Sequence, residues 1–209
     1  MPELPDVEVY RRYFNATALH KKIDTVEIDS ARVVKGYTQK NLRKELEERS
    51  FEQTRRHGKF MFAELDNGRF LLLHFGMTGD LKYFKDRKKE PEHTRVLFAF
   101  KNGYHLAYIC RRLLGEVSVI DSVDDFKEKR ELGPDALDLE IDDFIEILED
   151  KRGSLKTTLM NQKYICGIGN IYADEIVFQA GFDPRSVPAK MDRQQLKKLY
   201  QKMRKVLQT

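Results

Sequence analysis

The sequence predicts an α+β protein in which an N-terminal helix leads an antiparallel β-sandwich and an all-helical domain follows. Two observations carry this. Between residues 22 and 120, short runs rich in Val, Ile, Phe, Tyr and Leu succeed one another, and two pairs are joined by Asn-Gly turns, in ELDNGRFLLL and FAFKNGYHLA. An Asn-Gly pair between apolar runs is the strongest short-range hairpin signal. Beyond Ile120 the apolar residues recur at helical spacing instead.

Taken in order, residues 5–19 begin with a proline suited to a first helical turn and set Val9, Phe14 and Leu19 among polar neighbours, an amphipathic helix. The strands are TVEI, FMFAEL, RFLLLHF, DLKYF, RVLFAF, YHLAYI and EVSVI. The acidic stretch 121–150 is broken at Leu132-Gly133-Pro134-Asp135 between two helix-like pieces and reads as a linker and the start of the second domain. A helix at about 154–164, the turn CGIGN, a helix from Asn170 to Gln179, the turn GFDPRSVP and a last helix from Asp192 complete it. The expected domains are therefore 1–120, the linker 121–150, and 151–209. The last helix reaches Thr209 without a Gly or Pro stop, and the chain is expected to end before the natural protein does.

At 209 residues, 41% of them hydrophobic, the chain can bury one large or two small cores. Its net charge of +4 is unevenly spread. Residues 1–120 carry 23 Lys/Arg against 17 Asp/Glu, residues 121–150 carry 3 against 13, and residues 151–209 carry 12 against 4. Two basic bodies around an acidic bridge would attract a polyanion, since neutralised phosphates release counterions; a solvated charged face is the alternative. The acidic start MPELPDVEVY and the lack of a long apolar run predict an intracellular protein off the membrane. Cys110 and Cys166 make no disulfide framework or Cys-x-x-Cys pair, and no metal site is expected in this chain.

Met1 before a small residue is expected to be trimmed, leaving Pro2 as the N-terminus; a retained Met1 would acylate Pro2 and abolish its nucleophilicity. An α-amine titrates near pH 8, so a useful fraction is neutral at physiological pH. Attack on a deoxyribose anomeric carbon would displace the base and give an iminium, with Glu3 placed to protonate the ring oxygen or relay protons; a disordered terminus without chemistry is the alternative. Lys59, after a glycine between two strands, projects from a loop into solvent. Gly167 and Gly169 precede a helix N-terminus, where free N–H groups form an anion site for a phosphate, with Asn170 as cap or amide donor.

Six separated blocks, PELPDVE at 2–8, HGKFMFAEL at 57–65, LHFGMTGDL at 73–81, CRRLLGEV at 110–117, LGPDAL at 132–137 and NQKYICGIGNIYADE at 161–175, span essentially the whole chain. In order and spacing they resemble the formamidopyrimidine-DNA glycosylase and endonuclease VIII family. The resemblance implies a helix-two-turn-helix motif in the second domain, DNA between the domains, and a bifunctional glycosylase and abasic-site lyase acting on oxidised bases, purines favoured, through a Pro2 imine and β,δ-elimination. The implied partner is damaged double-stranded DNA, and the implied state a monomer. Pro2 matches the nucleophile, Glu3 its acid/base neighbour and Lys59 a phosphate-holding lysine beside the lesion.

Further matches fall on the DNA-facing segment. His74 is a phosphate donor or a satisfied sheet histidine, and Met77 fills the gap left by an everted base or packs in the core. Arg111 and Arg112 match the arginine pair at the orphan base, with a structural salt bridge as the alternative. Here the chain departs from the family, with Arg111-Arg112-Leu113-Leu114-Gly115 in place of Arg-Arg-Phe-Gly; a leucine can still wedge, Leu113 is placed among the DNA-binding residues, and which residue inserts stays open. Lys156 and Asn170 match phosphate-binding residues. Tyr172 matches as buried support, and Glu175 as an acidic partner near the sugar or a bridge between domains. Most family members continue into a lesion-recognition loop and a C-terminal zinc finger, neither of which is in this sequence; no cofactor is expected in the chain, and zinc only where the full-length protein carries that finger. The rival readings are a noncatalytic DNA-binding module, a truncated inactive fragment, and an RNA- or ribosome-associated protein using the same helical motif.

Overall fold

The Asn-Gly turns fold as the sequence predicts. In the computed structural model, which describes residues 1–208, Gly68 and Gly103 both stand at a φ of 80°, and Asn67 and Asn102 each accept the backbone N–H two residues on. They close the hairpins of β3 (Phe60–Leu65) with β4 (Phe70–His74) and of β6 (Thr94–Phe100) with β7 (His105–Cys110). With β1 (Ile23–Ile28), β2 (Phe51–His57), β5 (Gly79–Phe84) and β8 (Glu116–Ile120) they make two four-stranded antiparallel sheets, in the orders β1-β6-β7-β5 and β2-β3-β4-β8.

The chain divides into two units. The first holds residues 1–2 and 6–126; the second holds residues 3–5 and the chain from Lys127. In the first, Val26, Phe51, Met61, Leu73, Phe98 and Val117 are buried in the core. Helix α1 (Leu4–Thr17) buries Val7 and Phe14, while Val9, expected on the apolar face, is 61% exposed. The buried face runs through positions 7, 14 and 18, and residue 9 lies about 200° around from residue 7 at 100° per residue. α1 covers sheet edges on two sides: the Tyr13 hydroxyl accepts the Tyr83 N–H of β5, and Arg11 and Asn15 reach Thr54 of β2.

Two elements of this unit were not foreseen. α2 (Gln39–Leu46) anchors itself by only two buried leucines, Leu42 and Leu46, and β2 reads FEQTRRH, too polar to look like a strand. α3 (Val123–Lys129) places Phe126 edge-on to Phe60 and Phe62.

The second unit is helical: α4 (Ile141–Glu149), α5 (Leu155–Met160), α6 (Asn170–Ala180) and α7 (Arg193–Leu207). α5 is shorter than the expected 154–164, because Asn161 leaves the helix in extended geometry. α6 ends on Gly181 in the left-handed conformation, and α7 begins with a reciprocal capping box between Asp192 and Gln195. Leu4 is buried in this core among Leu155, Ile165, Ile168 and Ile176. Among the described residues no helix is long and apolar enough to cross a membrane.

Candidate active site

The glycine turn before α6 was expected to hold a phosphate, and its N–H groups hold a carboxylate of the chain itself. Glu3 Oε2 accepts from Gly169 N at 2.6 Å and Tyr172 N at 3.2 Å, and Oε1 accepts from Ile171 N at 2.9 Å. A helix N-terminus offers unpaired donors and the positive end of its dipole, and a carboxylate satisfies both. Glu3 is 1% exposed, so these bonds form where water is excluded and are correspondingly strong. Next to it, Leu4 N donates to Gly167 O at 3.1 Å. The two residues after Pro2 are thus pinned by backbone and side chain together.

Asn170 does not cap this helix. Gly169 is the N-cap and Asn170 the first helical residue, its side chain exposed. Lys156 is paired with Asp174 at 2.7 Å, so a phosphate there would compete with that carboxylate. Glu175 is exposed and accepts from Gln179 at 2.6 Å, one turn along α6. Tyr172 is half-buried and its ring packs against the helical core.

Lys59 departs from its reading as a solvent-facing lysine: it is 7% exposed. Gly58, directly before it, takes a φ of 56°, and its carbonyl accepts from Arg56 Nη1 at 3.2 Å. Arg56 in turn faces Glu8 at 3.5 Å, and Glu8 also takes Arg11 at 2.7 Å and Arg12 at 3.0 Å. The Arg11 hydrogen bond is the main cause that lowers the Glu8 carboxyl to about 2, with Arg12 and Arg56 adding to it against a partial burial that opposes. Glu8 and Arg56 were not singled out from sequence; Glu8 lies in the PELPDVE block, whereas nothing marked Arg56.

His74 ends β4 with its ring 4.8 Å from that of Phe60 and its Nδ1 3.4 Å from Gly76 N. From there the turn 75–78 lies backbone to backbone against the turn 111–115. A β-carbon on Gly76 would stand 2.5 Å from the Leu114 carbonyl carbon, and Arg112 N donates to Thr78 Oγ1 at 3.1 Å. The Tyr108 hydroxyl, donating to His74 O at 2.7 Å, ties the bases of the two turns. Burial raises the Tyr108 phenol far above its ordinary range, so it stays a donor. This packing gathers Met77, Arg111, Arg112 and Leu114, all exposed, on one rim.

Met77, at 42% exposure, is no core side chain. Leu113 is not the presented leucine. It takes a φ of 57° and packs half-buried against the sheet core, leaving Leu114, 53% exposed, at the tip. The extra residue relative to Arg-Arg-Phe-Gly is accommodated by that left-handed step.

The formamidopyrimidine-DNA glycosylase N-terminal domain matches residues 1–117, and the H2TH domain of the same enzymes matches residues 132–209. The chain belongs to the formamidopyrimidine-DNA glycosylase family. Among relatives of this family, the formamidopyrimidine-DNA glycosylase of Solibacter usitatus is 32% identical over 99% of this chain and 76% of its own length. That of Arabidopsis thaliana is 30% identical over 100% of this chain and 57% of its own length. Among solved structures, the Lactococcus lactis formamidopyrimidine-DNA glycosylase bound non-covalently to DNA containing an AP site superposes with a TM-score of 0.93 at 26% identity, covering 99% of this chain and 79% of that one. MutM in complex with DNA containing carbocyclic 8-oxo-G superposes with a TM-score of 0.92 at 26% identity, covering 99% of this chain and 78% of that one. Among the described residues of this member of the formamidopyrimidine-DNA glycosylase family, no three His, Cys, Asp or Glu side chains gather as a zinc site would need.

Proposed function

We propose that this chain is a base-excision repair enzyme, a bifunctional DNA glycosylase and abasic-site lyase that removes oxidised bases, purines preferred, from damaged double-stranded DNA inside the cell. The observation that carries the reading is the seat of Glu3: three backbone N–H groups and the Leu4–Gly167 bond fix the residues directly after Pro2. A disordered terminus has no use for a buried carboxylate clamped this way.

With Met1 removed, the Pro2 nitrogen is a secondary amine. Its lone pair attacks C1′ of the damaged nucleoside, the C1′–N bond breaks and the base leaves with the bonding pair and a proton. The proton that leaves with the base is the one lost from Pro2 N, and ring opening leaves an iminium between Pro2 N and C1′ as a second proton, drawn from water, goes to O4′. Glu3, the next residue along and seated on backbone N–H groups, stabilises the cation and relays the proton from Pro2 N to the departing base. A C2′ proton leaves to a base with its electron pair drawn into the iminium, the resulting enamine expels the 3′-phosphate, a second elimination expels the 5′-phosphate, and water hydrolyses the imine to free Pro2.

Lys59 binds a phosphate beside the lesion in this reading, with the Glu8–Arg56–Gly58 links orienting its turn. Met77 and Leu114 fill the vacated stack, and Arg111 or Arg112 meets the orphan base, as enzymes that evert a base require. Lys156 and Asn170 hold the DNA backbone, and His74 donates to it.

Borohydride trapping tests the reading. Incubated with duplex DNA carrying an abasic site and reduced, the chain with Pro2 at its N-terminus is expected to form a covalent adduct mapped to Pro2. DNA binding without an adduct would leave a noncatalytic DNA-binding module in its place.

A further inference from the structure

One side chain organises the turn that seats Glu3 without touching Glu3. Gln162 lies just after α5, half-buried. Its Nε2 donates to Met160 O at 2.7 Å and to Ile168 O at 2.8 Å, and its Oε1 accepts from Gly167 N at 3.0 Å, with the Cys166 thiol at 3.9 Å. Two donors and two acceptor positions are all an amide side chain has. Here all are spent on the end of α5 and on residues 166–168.

Those bonds bear on the backbone geometry of a turn that Pro134 and Ala136 hold only at Cys166. Gly167 holds a φ of 119°, which a residue with a side chain rarely adopts, and a β-carbon there would meet Leu4 Cδ1 at 2.5 Å. Gly167, whose N–H Gln162 holds, is also the residue whose carbonyl takes Leu4 N. The peptide it grips at Ile168 O continues into Gly169 N, the shortest of the three bonds to Glu3.

The structure assigns Gln162 the role of a positioning residue: its amide fixes residues 167–169 in the geometry that seats Glu3 and Leu4, and so aims the Pro2 nitrogen. The assignment rests on the imine reading above. A misplacement of an ångström near a reacting atom is enough to cost on the order of a hundredfold in rate.

The test uses Gln162→Met, which keeps the side chain's length and loses its hydrogen bonds. Single-turnover borohydride trapping on abasic-site DNA reads chemistry, and fluorescence anisotropy with a duplex carrying a reduced abasic analogue reads binding. Trapping is expected to slow by roughly 10- to 100-fold, with the Kd within about threefold. In a Glu3→Ala background, where there is no carboxylate to seat, the same substitution is expected to cost about threefold or less, the non-additivity of residues acting through one element.

An unchanged trapping rate, a loss of equal size in both backgrounds, or a parallel weakening of binding would overturn the assignment. Circular dichroism checks folding; should Gln162→Met not fold, Gln162→Asn, one methylene shorter and unable to span both carbonyls, carries the same expectations. Absence of any adduct with the wild-type chain sinks the imine reading itself, whereas a wild-type adduct with unaffected variants sinks only the role of Gln162.

Discussion

Gly169 lies so close beneath the Glu3 carboxylate that a β-carbon there would stand 2.4 Å from Glu3 Cδ and 2.5 Å from Oε1. The glycine is required by the packing rather than by its backbone angle, which at a φ of −120° suits any residue. Gly169→Ala is therefore expected to expel the carboxylate, lowering single-turnover excision of an oxidised purine by about a hundredfold and costing about 1–3 kcal/mol of stability from overpacking. Rapid-quench kinetics and urea unfolding read the two effects separately.

Glu3→Gln keeps the shape of the side chain and turns an NH₂ toward backbone N–H donors. At least one donor then loses its partner in a site 1% exposed, a cost of about 1–3 kcal/mol. Excision should fall more than trapping on a preformed abasic site, because the aldehyde needs no base to be displaced. Equal losses on the two substrates would argue that Glu3 only holds structure.

The Glu8 carboxyl, drawn down to about 2 chiefly by Arg11, links stability to acid. Because the folded value lies below the ordinary 4.5 of an unfolded chain, the stabilisation is fully present above about 4.5 and is lost as pH falls toward 2. Glu8→Gln should flatten the dependence of Tm on pH across that window while lowering Tm at neutrality. A Tm profile parallel to that of the wild type would refute the linkage.

Leu113 and Leu114 should separate cleanly. Leu113→Ala is expected to destabilise the fold by about 1–2 kcal/mol, less than a fully buried leucine would, with base eversion little changed. Leu114→Ala should leave Tm within a degree or two and slow eversion, read by stopped-flow fluorescence of a base analogue beside the lesion. The opposite pattern would return the wedge to Leu113.

Lys156 is shared between Asp174 and any phosphate it serves. Lys156→Ala should reduce the salt slope of DNA binding by about one, and Asp174→Asn, which releases the lysine and removes a negative charge, should tighten binding at low salt. Anisotropy titrations at several salt concentrations check both.

Much of the sheet was legible because its strands alternate or run apolar and its turns carry Asn-Gly, signals that act within a few residues. β2 escaped notice because it is clothed by α1 through polar contacts at Thr54, and α2 because two leucines four apart are too little pattern to read. At the site, residue types were readable and environments were not. The turn at 167–169 announced an anion site, yet the anion came from 166 residues away in sequence, a pairing no local pattern encodes. Lys59 was visible as a hairpin lysine, but its burial, 7% exposed, is not encoded by its local sequence. Leu113 and Leu114 are chemically identical, and only a backbone angle distinguishes them.

The distance along the chain between Glu3 and its donors sets an order of events during synthesis. Residue 3 is made 168 residues before Ile171 and 169 before Tyr172. At about 5–20 residues per second, the reacting terminus spends roughly ten to thirty seconds without the groups that orient it. On the proposed imine reading, a nascent chain can therefore have Met1 trimmed and Pro2 exposed while still unable to direct that amine at DNA, so the nucleophile is made early and armed late.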